Sequence, residues 1–266
     1  TSPFAFTGNK FEFRAVGSSA NSAAPMTVLN TIVAEQLIKF RKEVEVILEK
    51  GVKKELAIME VLKRCVKESK NIRFEGNWYS DEWVEEAARR GLSNLKTTPE
   101  ALAVYARPES IELFTKHGIY SKEEMHARHE IELENYVKKI QIESRVIGDM
   151  AINHIVSTSL KYQTQLVENV KGQKEIGIDP QYYAPTIEMI KKISEYTSSI
   201  VRLQNEMTEA RKEANNIEEL EEKATLYGTK VKGYFEEIRY AVDKLELIVD
   251  DDEWPLPKYR ELLLIK

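Results

Sequence analysis

SKEEMHARHEIELENYVKKIQIESRVIGDMAINHIVSTSLKYQTQLVENVKG, residues 121–172, is the stretch that decides the fold. Ser121 and Glu124 are spaced as a capping box: the hydroxyl takes a backbone N–H three residues on, and the carboxylate reaches back to the Ser N–H. Behind them Met125, Leu133, Val137, Ile140, Ile147, Met150 and Ile155 recur at helical intervals, and the pattern runs on through Leu160, Val167 and Val170 to Gly172. Unbroken, this helix would span roughly 75 Å, with Gly148 the place expected to bend or weaken it.

Downstream the same period returns twice. Ile187, Ile190, Ile193, Ile200, Leu203, Met207 and Ala210 predict a second long helix from Pro185 to Asn215. Leu220, Ala224, Tyr227, Val231, Phe235, Ile238, Val242, Leu245 and Val249 predict a third, beginning at Asn216 with Glu219 as its capping partner. The Gly- and Pro-containing link from Gly172 to Pro185 and the Asn215-Asn216 pair both permit antiparallel turns. Asp250-Asp-Asp-Glu253 would oppose the dipole of a helix C-terminus, so the third helix should stop there. These four acids lack the alternate spacing and following glycine of a calcium loop and read as a solvated turn. Trp254-Pro-Leu-Pro257 leaves in extended form, and Tyr259 to Ile265 is expected to dock as a last short helix.

Upstream the helices are shorter. Leu29, Val33, Leu37, Phe40, Val44 and Ile47 place one helix over Met26–Leu48, ended by Gly51, and Leu56, Met59, Leu62 and Val66 place another. The loop Asn71–Tyr79 interrupts the pattern, and its Trp78 and Tyr79 read as packing anchors where helices meet. Ser80 caps a helix that carries Trp83 and closes at Gly91; Pro99 and Pro108, each followed by Glu, start two more. The expected fold is mainly α, with long antiparallel helices in a bundle and a short β-strand at the N-terminus.

Composition narrows the function classes. The 266 residues are 42% hydrophobic with a net charge of -5, enough for a real core. Acids and bases are interspersed, so Lys53-Lys54 and Lys138-Lys139 read as solvated helix faces rather than a nucleic-acid surface. The single Cys65 excludes an internal disulfide and suits a reducing, cytoplasmic compartment; on its helical pattern it reads as a small buried residue. No apolar run reaches the roughly 18 residues that cross a bilayer. His126 and His129, three apart beside Glu130, are a weak metal signal, and exposed helix histidines are the better reading.

One segment does not belong with the helices. Thr1-Ser-Pro-Phe-Ala-Phe-Thr-Gly-Asn-Lys-Phe-Glu-Phe-Arg14 reads as an extended strand, with Lys10, Glu12 and Arg14 on one face, roughly 7 Å apart, and Phe11 and Phe13 packing behind. A solvated edge strand would show the same alternation. The fourteen residues closely resemble the last barrel strand of the glutamine synthetase catalytic domain in its type III form. Val16–Glu35 resembles the loop and helix that follow it, and Trp254–Leu263 resembles the end of the type III chain. The resemblance implies that Glu12 is a ligand of a divalent ion, that Arg14 contacts glutamate and the transferred phosphoryl group, and that Lys10 lies near the nucleotide phosphates. It further implies a ligase joining ammonia to glutamate through γ-glutamyl phosphate, using ATP and Mg²⁺ or Mn²⁺, in a homo-oligomeric double ring with sites between subunits.

The family's other metal-binding carboxylates and its histidine have no counterpart after Arg14. One carboxylate does not make a catalytic metal cluster. The chain is therefore expected to be a C-terminal portion of such an enzyme and inactive alone, with residues 1–48 ending the catalytic domain, 49–120 a short-helix linker and 121–266 the long-helix bundle. The helical part, lacking a catalytic cluster, is expected to serve assembly or regulation. The alternative is an independent helical interaction scaffold without catalysis.

Overall fold

A computed structural model describes residues 4–14, 17, 20–74, 76–77 and 80–263. It is mainly helical and divides into two compact units, Thr1–Lys96 with Val104–Ala127, and Thr97–Ala103 with Arg128–Lys266.

The first unit begins with a hairpin instead of the single expected strand. β1 (Phe4–Phe6) pairs antiparallel with β2 (Phe11–Phe13) in the register Phe4 to Phe13 and Phe6 to Phe11. Thr7-Gly8-Asn9-Lys10 is a turn: the Thr7 N–H donates to the Lys10 carbonyl at 2.9 Å, and Gly8 takes φ 97°, where a side chain would be strained. α1 (Ala23–Leu48) follows, with Asn21 Oδ1 accepting from the free Ala23 N–H at 2.8 Å. Gly51, at φ 80°, turns the chain into α2 (Lys54–Glu68). Val44 and Ile47 meet Ala57 and Val61 there, flanked by Phe40, Val52 and a half-buried Cys65.

Only the C-terminal half of the apolar stripe predicted for α1 is covered. Leu37 is 63% exposed, whereas Thr31 and Glu35 are buried. α3 (Asp81–Arg89) starts at Ser80, whose hydroxyl accepts from Trp83 N, and Trp83 stacks on Phe74 at 3.9 Å beneath the Arg90 guanidinium. Trp78 and Tyr79 lie outside the described residues. α4 (Thr98–Leu102), in the second unit, carries a complete Thr97–Glu100 capping box; α5 (Pro108–Lys116), in the first, starts at its proline.

From Ser121 on, the chain is built of long helices. α6 (Lys122–Asp149) opens on the expected Ser121–Glu124 box, with reciprocal bonds of 3.2 and 2.7 Å. It runs through a π-helical stretch, Met150–Val156, into α7 (Ser157–Glu175), so the irregularity expected at Gly148 falls just beyond it as a wider turn. α8 (Pro180–Asn215) begins five residues earlier than predicted. Asp179 caps it and Pro180 takes the first position, which leaves Pro185 inside the helix. Glu219 is the cap residue itself, accepting from Glu221 N and Glu222 N, so α9 (Leu220–Leu226) starts later than Asn216. A second π stretch, Tyr227–Val231, joins it to α10 (Lys232–Glu246).

Short links at 176–179 and 216–219 return the chain, and α7 and α10 both pack along α8. Their shared core holds Ile155, Ile193, Ile200, Met207, Ile238 and Leu245, all nearly or fully buried. Asp250–Glu253 forms the expected turn, and Trp254 closes over the core end. α11 (Tyr259–Leu263) does not dock as predicted: Leu262 and Leu263 are about two-thirds exposed. Ile265 lies outside the described residues.

Candidate functional site

The hairpin brings its three charged residues together. Arg14 Nη2 donates to Glu12 Oε2 at 2.8 Å and its Nε to the same oxygen at 3.3 Å, while Lys10 Nζ stands 3.5 Å from Glu12 Oε1. Three side chains of one strand face can meet because a period of two returns each to the same side. The Arg14 guanidinium, and behind it Lys10 and Thr7, hold the Glu12 carboxyl below the usual carboxylate range. Lys10 and Arg14 are exposed and Glu12 between them is half-buried, so the triad is a surface set of one anion between two cations. The aromatic backing expected behind it is thin: Phe11 is 56% and Phe13 37% exposed, because a two-stranded hairpin has no second layer.

Glu12 is a hard oxygen donor of the kind Mg²⁺ or Mn²⁺ takes, and it fits a role as one ligand of a shared ion. It has no companions here: among the described residues no group of three or more His, Cys, Asp or Glu side chains is placed to hold a metal. His126 and His129 do not converge. His126 is exposed, but His129, expected at the surface, is buried, with Nε2 lacking a hydrogen-bond partner and 3.4 Å from Glu221 Oε1. Its position one turn after the buried Met125 puts it on the core stripe, a signal that weighs against surface exposure.

Sequence reasoning missed a second charged cluster. Glu35, 8% exposed on α1, accepts from Lys116 Nζ at 2.6 Å, bonds His117 Nε2 at 2.8 Å, and has Lys39 Nζ at 3.6 Å. Lys116, with His117 and Lys39 adding to it, holds its carboxyl down to about 2. A groove of about 440 Å³ opens beside it, lined by Ile32, Gln36, Ser110 and Leu113 among others. With both oxygens engaged, Glu35 ties α1 to α5 and has little capacity left for a metal. Its only local signal was the Glu35–Lys39 spacing, which reads equally as an exposed helix pair.

Comparison with known proteins places these observations. Residues 57–174 match the model of the glutamine synthetase C-terminal domain. A glutamine synthetase of Bacteroides fragilis (strain YCH46) is 50% identical over 269 residues, covering 100% of this chain and 37% of the relative. A glutamine synthetase of Butyrivibrio fibrisolvens is 35% identical over 268 residues, 99% of this chain and 37% of its own length. The type-3 glutamine synthetase of Dictyostelium discoideum is 35% identical over 274 residues, 100% of this chain and 36% of its own. The chain thus spans a little over a third of the relatives it matches. Residues 57–174 therefore match the glutamine synthetase C-terminal domain, within a chain that is similar from end to end to part of glutamine synthetases, the type-3 form among them.

Proposed function

We propose that this chain works as part of a type III glutamine synthetase, a ligase that joins ammonia to glutamate at the expense of ATP through γ-glutamyl phosphate. The observation that carries the reading is the Lys10–Glu12–Arg14 triad, set in the segment that most resembles the family's last catalytic strand. In this reading Glu12 supplies one oxygen ligand to a catalytic Mg²⁺ or Mn²⁺, and the ion neutralises charge on the transferring phosphoryl group. Arg14 is the catalytic and substrate-binding residue: its guanidinium fork matches the oxygens of the glutamate carboxylate and the phosphoryl group. Lys10 steadies the nucleotide phosphates as a point charge. The mutual contacts of the three keep them aligned until substrate and metal compete for them.

The remaining walls of the site belong to the rest of the enzyme, so this chain alone should lack synthetase activity. The helices serve assembly or regulation in a cytoplasmic homo-oligomer, a double ring by family likeness. Among the described residues no helix is long and apolar enough to cross a membrane, and the mixed surface charge gives no nucleic-acid footprint. In the whole synthetase, Arg14→Lys should lower kcat by about tenfold or more, since a bidentate fork is lost. Glu12→Gln should raise the divalent-ion concentration needed for half-maximal rate. Wild-type kinetics in both variants would overturn the site assignment, and a truncation ending near Leu48 that stayed active with unchanged assembly would overturn the role given to the helices.

A further inference from the structure

α6 and α8 leave between them a groove of about 410 Å³, lined by charged, amide and apolar side chains, that the triad does not use. Arg145 enters it from α6 and Arg211 from α8, with the amides of Asn153, Gln204 and Asn205 around them. Elsewhere the long helices answer many of their cations with acids one turn away: Lys138 with Glu134, Arg202 with Glu206, Lys212 with Glu209. Arg145 and Arg211 break that habit. Among the described residues neither has a carboxylate within ion-pair distance. The residues one turn from Arg211 are Met207, Thr208, Ala214 and Asn215, and the one acid a turn from Arg145, Asp149, is taken by Asn153 Nδ2 at 2.5 Å.

The groove floor is made by Gly148, a buried residue whose missing side chain opens the space; a Cβ there would stand 3.4 Å from Gln204 Cγ. Two residues on, the helix widens into the π stretch Met150–Val156, a type of irregularity often found where helices bind ligands. Both arginines also bear electrostatically on the Tyr227 hydroxyl, which donates to Asn215 Oδ1 at 2.7 Å and accepts from Gln141. Two guanidiniums thus line one groove against the single carboxylate of Asp149, with the Asn205 amide beside them, while the amides of Asn153 and Gln204 already donate to Asp149 and Thr208. We propose that this groove binds a small polyvalent oxyanion, a phosphorylated or polycarboxylate metabolite, between Arg145 and Arg211. Forked guanidiniums suit either oxyanion, and the volume is that of a small-molecule site.

Titration calorimetry of the full chain at low ionic strength, with inorganic pyrophosphate in one series and citrate in the other, tests this. Saturable binding of one ion per chain is expected, weakened about tenfold or more by Arg145→Gln or Arg211→Gln, each losing a charge-assisted contact. Arg239→Gln, on another face, should leave it unchanged. Asn205→Asp, at an exposed position, should also weaken it by placing a carboxylate in the groove. Tighter pyrophosphate binding assigns a phosphoryl ligand, and tighter citrate binding a polycarboxylate. Absence of saturable binding for both ions, or an equal loss in Arg239→Gln, would overturn the site.

Discussion

At the scale of single residues, Glu35 shows how burial turns a routine helix acid into a tie. Its folded-state carboxyl, held near 2 by Lys116 and His117, sits below the unfolded value of about 4.5, so it contributes stability that is complete above about 4.5 and is lost as the pH falls toward 2. Glu35→Gln should therefore lower the melting temperature by several degrees at pH 7 and flatten the acid limb between those values, as read by circular dichroism. Gly228 carries the opposite lesson. Replacing a helical glycine by alanine ordinarily stabilises by about 1 kcal/mol, but here a Cβ would lie 2.6 Å from the Tyr136 hydroxyl. Gly228→Ala should instead cost about 1–3 kcal/mol in urea unfolding, with Tyr136→Phe recovering part of it. Neither effect was legible beforehand, because each depends on a residue from another helix, whereas Lys10, Glu12 and Arg14 were legible because one strand carries all three.

At the scale of elements, local chemistry predicted starts better than it predicted reach. The Ser121–Glu124 box formed as read, and Ser121→Ala should cost about 1 kcal/mol and speed amide exchange in the first turn of α6. Proline commonly sits at a helix start, which favours Pro185, but Asp179-Pro180 offers a cap as well as the proline and so claims the boundary. The strand read across Thr1–Arg14 is instead a hairpin, because Gly8 at φ 97° lets the chain turn back between Phe6 and Phe11. The stripe of α1 misled for a different reason: period reports which residues share a face, not whether anything covers it, and Leu37 remains in solvent.

At the scale of the whole molecule, the mainly α fold and the antiparallel return of long helices were readable from period and turn residues, since those rules are local. The core of the second unit follows the predicted positions closely, and Ile200→Ala at its centre should cost about 2–5 kcal/mol by denaturant titration of that unit. The π stretches were not readable, because an i→i+5 turn carries no composition of its own. They have a further consequence, for inheritance. A π turn is one surplus residue accommodated in a helix, so the bundle holds places where chain length can change without moving the rest. Deleting exposed Thr229 should let Tyr227–Val231 relax to ordinary helix and keep α10 seated on α8. Deleting Glu236 should instead turn everything after it by about 100° and carry Ile238, Ala241 and Leu245 off the core. Two one-residue deletions seven positions apart would thus have opposite fates, one a neutral step open to drift and the other a loss of fold.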